Sequence, residues 1–333
     1  MLAYIVRRTL MVVPVVVGAV SLLFVVFYIV PGNPVDSLAG ERAVNADTRR
    51  VVEAKFGLDK PWYVQYGKYW QRLSHGDLGR SYAQGRSVNT MLKEKAPNSI
   101  RLAVWALGIE VLIGIAAGVL SAVRRYSFLD TLTTVSTTMV VAVPVFVLGY
   151  LLQYMVGVYT FQHNYPTWAR FPVSGVGGDH WHLFLIPAAD TWKSVVLPAI
   201  TLASVSTALV ARMMRTTMLE VMRADYMRTA AAKGLSRTQV VFRHGLKNAM
   251  IPVVTLIGLD LANLIGSAVL TETVFSWPGM GTTIATAIGA LDSPVVQGFT
   301  IVLVIAYVLI NLLVDVSYAF FDPRIRYGAG SAD

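Results

Sequence analysis

Cysteine is absent from the 333-residue sequence. Its absence excludes disulfide frameworks, thiolate nucleophiles and cysteine-based metal sites. Charged residues are also scarce, at 14% of the chain, whereas apolar residues make up 55%. Several charge-poor stretches approach or exceed the roughly 20 residues that a helix needs to span a bilayer. This composition predicts a polytopic, all-α membrane protein and not a soluble domain.

A phosphate-binding loop of the GxxxxGK[ST] type is missing as well. Without it, the chain has no P-loop with which to hold ATP. The sequence also offers no Ser-His-Asp or paired-carboxylate arrangement that would support an enzyme inside the membrane. We therefore predict no catalytic residue, and the energy for any transport must come from a partner ATPase or from an ion gradient.

The net charge of +9 does not mark a nucleic-acid-binding protein, because the basic residues flank apolar stretches and do not form one patch. An excess of Lys and Arg in short cytoplasmic loops explains them. The same rule predicts a multi-pass protein of the cell membrane with both termini in the cytoplasm. The lipid bilayer is then an expected partner, and nucleic acid is not.

Apolar stretches with basic or proline-rich boundaries predict six transmembrane helices. They cover residues 9–30, 102–123, 131–158, 194–211, 248–271 and 298–320. The remaining parts are a cytoplasmic N-terminus (1–8), extracytoplasmic segments (31–101, 159–193 and 272–297), a cytoplasmic segment (212–247) and a cytoplasmic tail (321–333). Pro31 and Pro34 end the first helix, and Pro144 predicts a kink in the third.

The long segment after the first helix contains two predicted helices. Residues 47–56 form the first, which Gly57 closes. The second carries an aromatic face at helical spacing, formed by Trp62, Tyr66, Tyr69, Trp70 and Leu73. Such a face packs on neighbouring helices or lies at the membrane interface. Reception of a partner protein is a further interpretation.

The segment from Arg212 to Lys247, called the coupling segment below, is a long polar stretch between two apolar ones. It contains eight Lys or Arg and two acidic residues. Residues 225–232 have helical spacing without proline. Gly234 predicts a left-handed C-cap and Ser236 an N-cap, so we expect two short helices with a tight bend. The small residues 229–232 would let another protein approach the backbone closely. A basic helix lying on anionic lipid is the alternative.

Residues 225–252, DYMRTAAAKGLSRTQVVFRHGLKNAMIP, resemble the cytoplasmic coupling motif of ABC-importer permeases. Together with GLDKPWYVQY, GDLGRS and FSWPGMG, they are similar to the B-type permeases of dipeptide and oligopeptide importers, a group that includes nickel and glutathione permeases. The chain departs from the general motif at residues 228–230, where the family has Glu-Ala-Ala, and at Lys247, where it has Pro. The resemblance covers nearly the whole chain, with the permease core at 96–322.

The resemblance implies an ABC-importer permease fold with a long extracytoplasmic segment after helix 1 and a cytoplasmic coupling helix between helices 4 and 5. Such a subunit forms half of the translocation pathway for di- or oligopeptides. The implied partners are a second, related permease, two cytoplasmic ATP-binding subunits and an extracytoplasmic substrate-binding protein. ATP and magnesium would bind the partner ATPases, and this chain would hold no cofactor. The implied ATPase contacts are Asp225, Arg228, Thr229, Ala230, Ala231 and Gly234.

Carboxylates inside the predicted spans bear on two other classes of function. Glu110, Asp260 and Asp315 are the acidic residues there. A carrier driven by an ion gradient usually commits several such groups to ion or proton relays, so a secondary transporter remains an alternative with little support. The non-transport alternative is a membrane scaffold whose basic segment binds lipid.

The fifth predicted helix carries a polar stripe. Asp260, Asn263, Ser267 and Thr271 follow one another at i, i+3, i+7 and i+11. Polar residues inside a membrane normally face the bundle interior or a wet pathway. We therefore predict that Asp260, Asn263 and Ser267 line the pathway. Hydrogen bonding to a neighbouring helix is the alternative.

Histidines in an outer loop raise the question of a nickel site. His163, Asp179, His180 and His182 lie in or beside this loop. Residues two apart can converge on a metal, but the sequence fixes no third or fourth ligand. We therefore predict no metal site.

The missing P-loop gives the first testable prediction. The chain purified alone should hydrolyse no ATP and show no nucleotide-dependent thermal shift, because it has no loop to cradle the phosphates. Isothermal titration with ATP and magnesium checks this, with a P-loop ATPase as the positive control. Saturable ATP binding by the isolated chain would contradict it.

Overall fold

A computed structural model describes residues 2–29, 60–175, 181–182, 184–188 and 191–321. The chain divides into two compact units. Unit 1 comprises Met1–Asn98 and Pro278–Leu312, and unit 2 comprises Ser99–Trp277 and Leu313–Asp333. The predicted helix 47–56, its closing Gly57 and the proline-rich stop after the first helix lie outside the described residues.

Within the described residues, six helices are long and apolar enough to cross a membrane, and this confirms the predicted number. In chain order, spans 1 to 6 are Val6–Phe27, Val88–Val123, Val145–Gln162, Trp192–Val221, Arg237–Val274 and Ser293–Val316. Several of them extend beyond the predicted apolar stretches. Span 2, for example, begins at Val88 and not at residue 102, because polar residues such as Lys93 and Lys95 continue the helix.

The described residues form α-helices, and short π-helical turns interrupt several of the helices that make up the spans. The α-helices are Leu2–Phe24, Trp62–Ser74, Val88–Ile109, Ile115–Val123, Phe128–Ala142, Val145–Leu152, Tyr159–Gln162, Trp192–Val221, Asp225–Ala232, Arg237–Gln239, Leu246–Val274, Met280–Gly289 and Ser293–Phe321. The π-helical turns are Val25–Ile29, Glu110–Gly114, Gln153–Val158 and Val240–Gly245, and Thr167–Ala169 is a 3-10 turn. The strands Trp181–His182 and Ile186–Pro187 pair in antiparallel fashion in the loop before span 4, a small exception to the all-α prediction.

The third predicted span is divided into two helices. Phe128–Ala142 ends at Val143, whose ψ of 129° is extended, and Pro144 has a ψ of 135°. A residue before proline avoids the helical region, since the proline ring crowds its backbone. The predicted kink is therefore a break, and only the second helix is long enough to count as a span.

In unit 1, the aromatic helix Trp62–Ser74 packs on span 1. Tyr66 and Ser21 share a hydrogen bond of 2.7 Å between their hydroxyl oxygens. The ring of Phe24 lies edge-on to Tyr66 with centroids 5.0 Å apart, and Tyr69 is buried beside them. The packing interpretation is thus correct for this part of the aromatic face. Trp62, at the helix start, is exposed.

A buried acid fixes the loop that follows this helix to the start of span 6. Asp292 accepts hydrogen bonds from the hydroxyl of Ser81 and from the backbone N–H groups of Tyr82, at 2.9 Å, and Ala83, at 3.3 Å. Its side chain is almost fully buried. Three donors compensate for the removal of the carboxylate from water.

In unit 2, glycines let span 4 approach span 2 closely. A Cβ atom at Gly118 would lie 2.5 Å from Cβ of Met214 and 2.6 Å from the carbonyl oxygen of Ala211. One turn earlier, a Cβ at Gly114 would lie 2.8 Å from Val210. Small residues replace the hydrophobic effect as the basis of helix association in a membrane, because they allow van der Waals contact between backbones.

An ion pair joins the helix Phe128–Ala142 to span 4. Nε of Arg215 donates to Oδ1 of Asp130 at 2.7 Å, and Nη2 donates to Oδ2 at 3.0 Å. The hydroxyl of Ser121 and the N–H of Tyr126 also donate to Asp130. The hydrogen bonds from Arg215 contribute most to holding the pKa of Asp130 well below its usual range. Asp130 is therefore ionised at neutral pH, and its stabilising contribution is lost only as the pH falls through this lowered pKa.

Breaking this pair should destabilise the fold. Asp130→Ala leaves Arg215 without its carboxylate, and we expect a loss of about 3 kcal/mol, the lower end of the range for a buried pair. Arg86→Ala is the control, since Arg86 and Glu94 form a pair in which both side chains are 47% exposed. An exposed pair contributes about 1 kcal/mol or less. Thermal midpoints in detergent measure both variants, and equal losses would contradict the prediction.

Candidate coupling segment and pathway residues

The coupling segment contains the predicted bend, but only the first of the two helices beside it is short, because the second, which begins at Arg237, is the start of span 5. The helix Asp225–Ala232 is followed by Gly234, which has a φ of +81°. Ser236 then accepts a hydrogen bond from the N–H of Gln239, and the Gln239 side chain accepts one from the N–H of Ser236. These reciprocal bonds form a capping box that starts the next helix. The left-handed glycine and the serine N-cap are both confirmed.

Burial separates the six predicted ATPase contacts into two groups. Ala230 is buried with Met227 and Val240 in a small apolar cluster, so this predicted contact faces its own chain. The other five are exposed, namely Asp225, Arg228, Thr229, Ala231 and Gly234. The i, i+3 spacing of Met227 and Ala230 is the sequence signal that could have identified the inward face.

The exposed residues Asp225, Arg228, Thr229, Ala231 and Gly234 form the outward face of the segment. This face combines small side chains with charged groups that contribute little to the stability of the chain. Arg228 and Asp225 form an ion pair at 3.6 Å, with 79% and 96% of their side chains exposed. A pair so exposed contributes little to stability. Ala231 presents only a methyl group, and no atom lies within 4 Å of a Cβ placed on Gly234. This face is available for contact with another protein.

The bend is also packed onto the spans of unit 2. A Cβ on Gly245, just before the α-helical part of span 5, would lie 2.9 Å from Cε of Met218 and 3.2 Å from Cε of Met227. Nη2 of Arg237 donates to the carbonyl oxygen of Val123, at the end of span 2, at 3.4 Å. Met227 of the helix Asp225–Ala232 therefore packs beside spans 4 and 5, and the start of span 5 contacts the end of span 2.

Val241 extends this connection into the interior of unit 2. It belongs to a buried apolar cluster with residues of the α-helical parts of spans 2, 4 and 5. The other buried members are Val119, Ala122, Val210, Met214, Met218, Ala249 and Val253. A displacement of the bend would thus act on three spans at once, because close-packed interiors transmit strain.

The predicted pathway residues of span 5 lie in different environments. Asn263 and Ser267 are exposed in the single chain, whereas Thr271, the last residue of the stripe, is buried. Asp260 is half-buried, and its Oδ2 atom is buried without a hydrogen-bond partner within the described structure. The structure therefore brings Asn263 and Ser267 to one open face and turns Asp260 toward the interior of unit 2.

Span 2 places Glu110 against Asp260, a pair that the sequence analysis did not identify. The side chain of Glu110 is 0% exposed, and the carboxyl of Asp260 lies close enough to interact with it. Depth in the membrane could have revealed this pair. The second predicted helix starts, and the fifth ends, on the extracytoplasmic side. Glu110 lies eight residues from that side and Asp260 lies eleven residues from it.

A row of hydroxyl side chains on the helix Phe128–Ala142 was also missed. Thr131, Thr134, Ser136 and Thr138 are exposed in the single chain. The hydroxyl of Thr138, for example, donates to the carbonyl oxygen of Thr134 at 2.8 Å. Such bonds to the preceding turn satisfy the hydroxyl within its own helix. The dense Ser and Thr content of residues 131–138 was the available signal.

The histidines predicted not to form a metal site are only partly described. His163 stacks on Tyr159 with ring centroids 4.0 Å apart, and its Nδ1 lies 3.0 Å from the carbonyl oxygen of Tyr159. Asp179 and His180 lie outside the described residues. Among the residues that are described, no group of three or more His, Asp or Glu could hold a metal ion.

Comparison with known families accounts for almost the entire chain. Residues 114–327 match the family described as "Binding-protein-dependent transport system inner membrane component". Residues 1–103 match the corresponding N-terminal family of membrane components. The first match alone covers more than half of the chain and includes the coupling segment.

Curated relatives are similar over the same length. The dipeptide transport system permease protein DppB of Alkalihalophilus pseudofirmus is 38% identical over 98% of this chain and 100% of its own length. The oligopeptide transport system permease protein AppB of Bacillus subtilis is 36% identical over the same shares. The glutathione transport system permease protein GsiC of Escherichia coli is 35% identical, again over 98% and 100%.

The bend at Gly234 gives a prediction that needs no partner. Gly234→Val should destabilise the bend by about 1–2 kcal/mol, because a β-branched residue resists a positive φ. Gly234→Asn is the control, since Asn tolerates the left-handed region. Amide hydrogen exchange over residues 225–239 measures the effect. Faster exchange should be confined to the valine variant, and equal exchange in both variants would contradict the prediction.

Proposed function

This chain belongs to the family of binding-protein-dependent transport-system inner membrane components, and we propose from that membership that it is the permease subunit of an ATP-driven importer for dipeptides or oligopeptides. The observation that carries the proposal is similarity at 36–38% identity to dipeptide and oligopeptide permeases over 98% of the chain. The matched length covers nearly all of this chain and all of each relative.

A glutathione importer is the second candidate. It is favoured by the permease that is 35% identical over the same 98% of the chain. Glutathione is itself a tripeptide, so both candidates require a pathway that passes short peptides. Since selectivity in a binding-protein-dependent system rests largely on the separate binding protein, the permease needs only a pathway of suitable polarity.

The proposed complex contains more than this chain. A second, related permease supplies the other half of the pathway, and two cytoplasmic subunits bind ATP and magnesium. An extracytoplasmic protein delivers the substrate. In this arrangement both termini and the coupling segment lie in the cytoplasm, in agreement with the basic residues around the inner ends of the spans.

Exposed polar groups at membrane depth support the proposal of half a pathway. Asn263, Ser267 and the hydroxyl row of residues 131–138 are open in the single chain. Next to this row, the backbone leaves the helical conformation at Val143 and Pro144. Non-helical backbone at membrane depth requires burial in protein or a water-filled cavity. A second permease facing these surfaces would supply both conditions.

Coupling to the ATPases would use the outward face of the helix Asp225–Ala232. The cytoplasmic subunits would contact Asp225, Arg228, Thr229, Ala231 and Gly234, while Ala230 holds the helix from within. Closure of the ATPases would displace this helix and, through Met227 and the apolar cluster around Met218, tilt spans 2, 4 and 5. Such a change is alternating access between two packed states, driven by the different contacts that each state makes.

Transport measurements separate the proposal from its alternatives. In proteoliposomes that contain this chain, its partner permease, the ATPases and the binding protein, uptake of a labelled dipeptide should require ATP inside and survive an uncoupler. Uptake that collapses with the uncoupler while ATP remains would indicate a gradient-driven carrier. Failure of any ATPase to co-purify with the chain would favour the lipid-binding scaffold.

A substitution on the outward face tests the coupling step. Ala231→Trp should insert and fold normally, because residue 231 is exposed, but should lose most ATPase co-purification and ATP-dependent uptake. Thr238→Trp is the matched control, an exposed residue beyond the bend. Normal co-purification and uptake with Ala231→Trp would refute the assignment of this face.

The pathway residues are testable because the chain has no native cysteine. Cysteines at Asn263 and Ser267 should react with a membrane-impermeant thiol reagent, and their reaction rates should differ between resting and nucleotide-trapped complexes. Two controls bracket the result. Ala262→Cys is buried and Leu309→Cys faces outward on apolar span 6, so neither should react. Protection of residues 263 and 267 in both states would favour a purely structural stripe.

A further inference from the structure

The contact between Glu110 and Asp260 is an unusual feature of unit 2. Glu110 is fully buried, and neither of its carboxyl oxygens has a hydrogen-bond donor among the described residues. Oδ2 of Asp260 is buried without a donor as well. The carboxyl of Asp260 lies within hydrogen-bonding reach of Glu110, provided that one of the two groups carries a proton. Two acids thus meet with no donor other than such a proton.

In the described helices around this pair, no Lys, Arg or His lies in the stretches that pass it. Glu110 is the only ionisable residue of span 2 between Arg101 and Arg124. Span 4, which packs against residues 110–114, has none between Lys193 and Arg212.

Span 5 and the helices of the third predicted span lead to the same conclusion. Asp260 is the only ionisable residue of span 5 between Lys247 and Glu272. Residues 131–162 contain no Asp, Glu, Lys, Arg or His. The charge of the two acids must therefore be limited by a proton and not by a cationic side chain.

The local backbone positions Glu110 for this contact. It is the first residue of the π-helical turn Glu110–Gly114, in which one extra residue shifts the helical register. Gly114 closes the turn against span 4, where a larger residue would clash with Val210. The turn is thus held in place by close packing, and π-helical turns of this kind are frequent at functional sites.

We propose that Glu110 and Asp260 share a proton and thereby form a latch that ties span 2 to span 5 inside the membrane. An ionised carboxylate only accepts hydrogen bonds, whereas a protonated one also donates. With one shared proton, the protonated group donates to the carboxylate, so that one oxygen of each residue gains a partner. Two ionised carboxylates in contact would repel each other in a medium of low dielectric constant.

The latch acts one turn away from the open polar face of span 5. Asp260 precedes Asn263 by three residues on the same helix, so the latch fixes the rotation of that helix. Loss of the proton would replace attraction with repulsion and release span 5 from span 2.

Infrared spectroscopy of the membrane-reconstituted protein tests the shared proton. The parent should show a carbonyl stretching band of a protonated carboxyl that Glu110→Gln removes, because the amide then supplies the hydrogen-bond donor to Asp260 in place of the shared proton. Asp260→Ala should keep this band and shift it, since Glu110 loses the carboxylate that accepts its proton. Asp130→Asn is the control and should leave the band unchanged, because Arg215 keeps Asp130 ionised. A band unaffected by Glu110→Gln would overturn the proposal.

Thermal midpoints in detergent test the latch independently of spectroscopy. Glu110→Gln retains a donor to Asp260, whereas Glu110→Met has a similar size and no donor. Methionine should therefore lower the midpoint more than glutamine in the parent background. In an Asp260→Ala background, which has no acceptor, this difference should vanish. Equal midpoints for glutamine and methionine in the parent, or the same difference in both backgrounds, would show that the two carboxyl groups are not linked.

Discussion

The close approach of spans 2 and 4 is the contact on which unit 2 depends. At Gly118 there is no room for even one additional carbon atom beside Met214 and the backbone of Ala211. In a membrane, the transfer of an apolar side chain from lipid to protein contributes little free energy. The contact must therefore be stabilised by close van der Waals packing of complementary surfaces. With these two helices locked together, their shared surface is a rigid base. Span 5 packs against this base, and the coupling segment joins it at one end.

Rigidity of this kind explains how a short helix could act on a pathway at a distance. The helix Asp225–Ala232 has little independent stability at its length, because isolated helices of this size are marginal in water. It is held by Met227 and Ala230, which are buried against residues that continue into span 5. The capping box at Ser236 and the positive φ of Gly234 fix the angle between the two helices. A displacement of the outward face is therefore transmitted to the spans, because the coupling segment itself bends little.

Much of this architecture could be predicted from the sequence, because its signals are local. Length and hydropathy identify a span within the chain itself, and the Gly234 and Ser236 caps depend on residues a few positions away. At Val143 the prediction was a kink, whereas the structure has a break. The sequence does not show whether neighbouring groups will satisfy the backbone groups that a proline leaves without hydrogen bonds. The spacing of Met227 and Ala230 and the similar depths of Glu110 and Asp260 were present in the sequence as signals. They did not show which helices become neighbours, and that information decides whether Ala230 faces inward and whether the two acids meet.

Span 5 combines three different requirements along one helix. Its first turns belong to the apolar cluster that receives the coupling segment, Asp260 contacts span 2, and Asn263 and Ser267 remain open. A helix that only crossed a membrane would need none of these and would be apolar on every side. Because the helix is continuous from Leu246 to Val274, a rotation imposed at one end changes the environment of Asp260 and of the open face together. Such linked changes in burial are what a two-state transporter needs, since a displacement that left every polar group in the same surroundings would favour neither state.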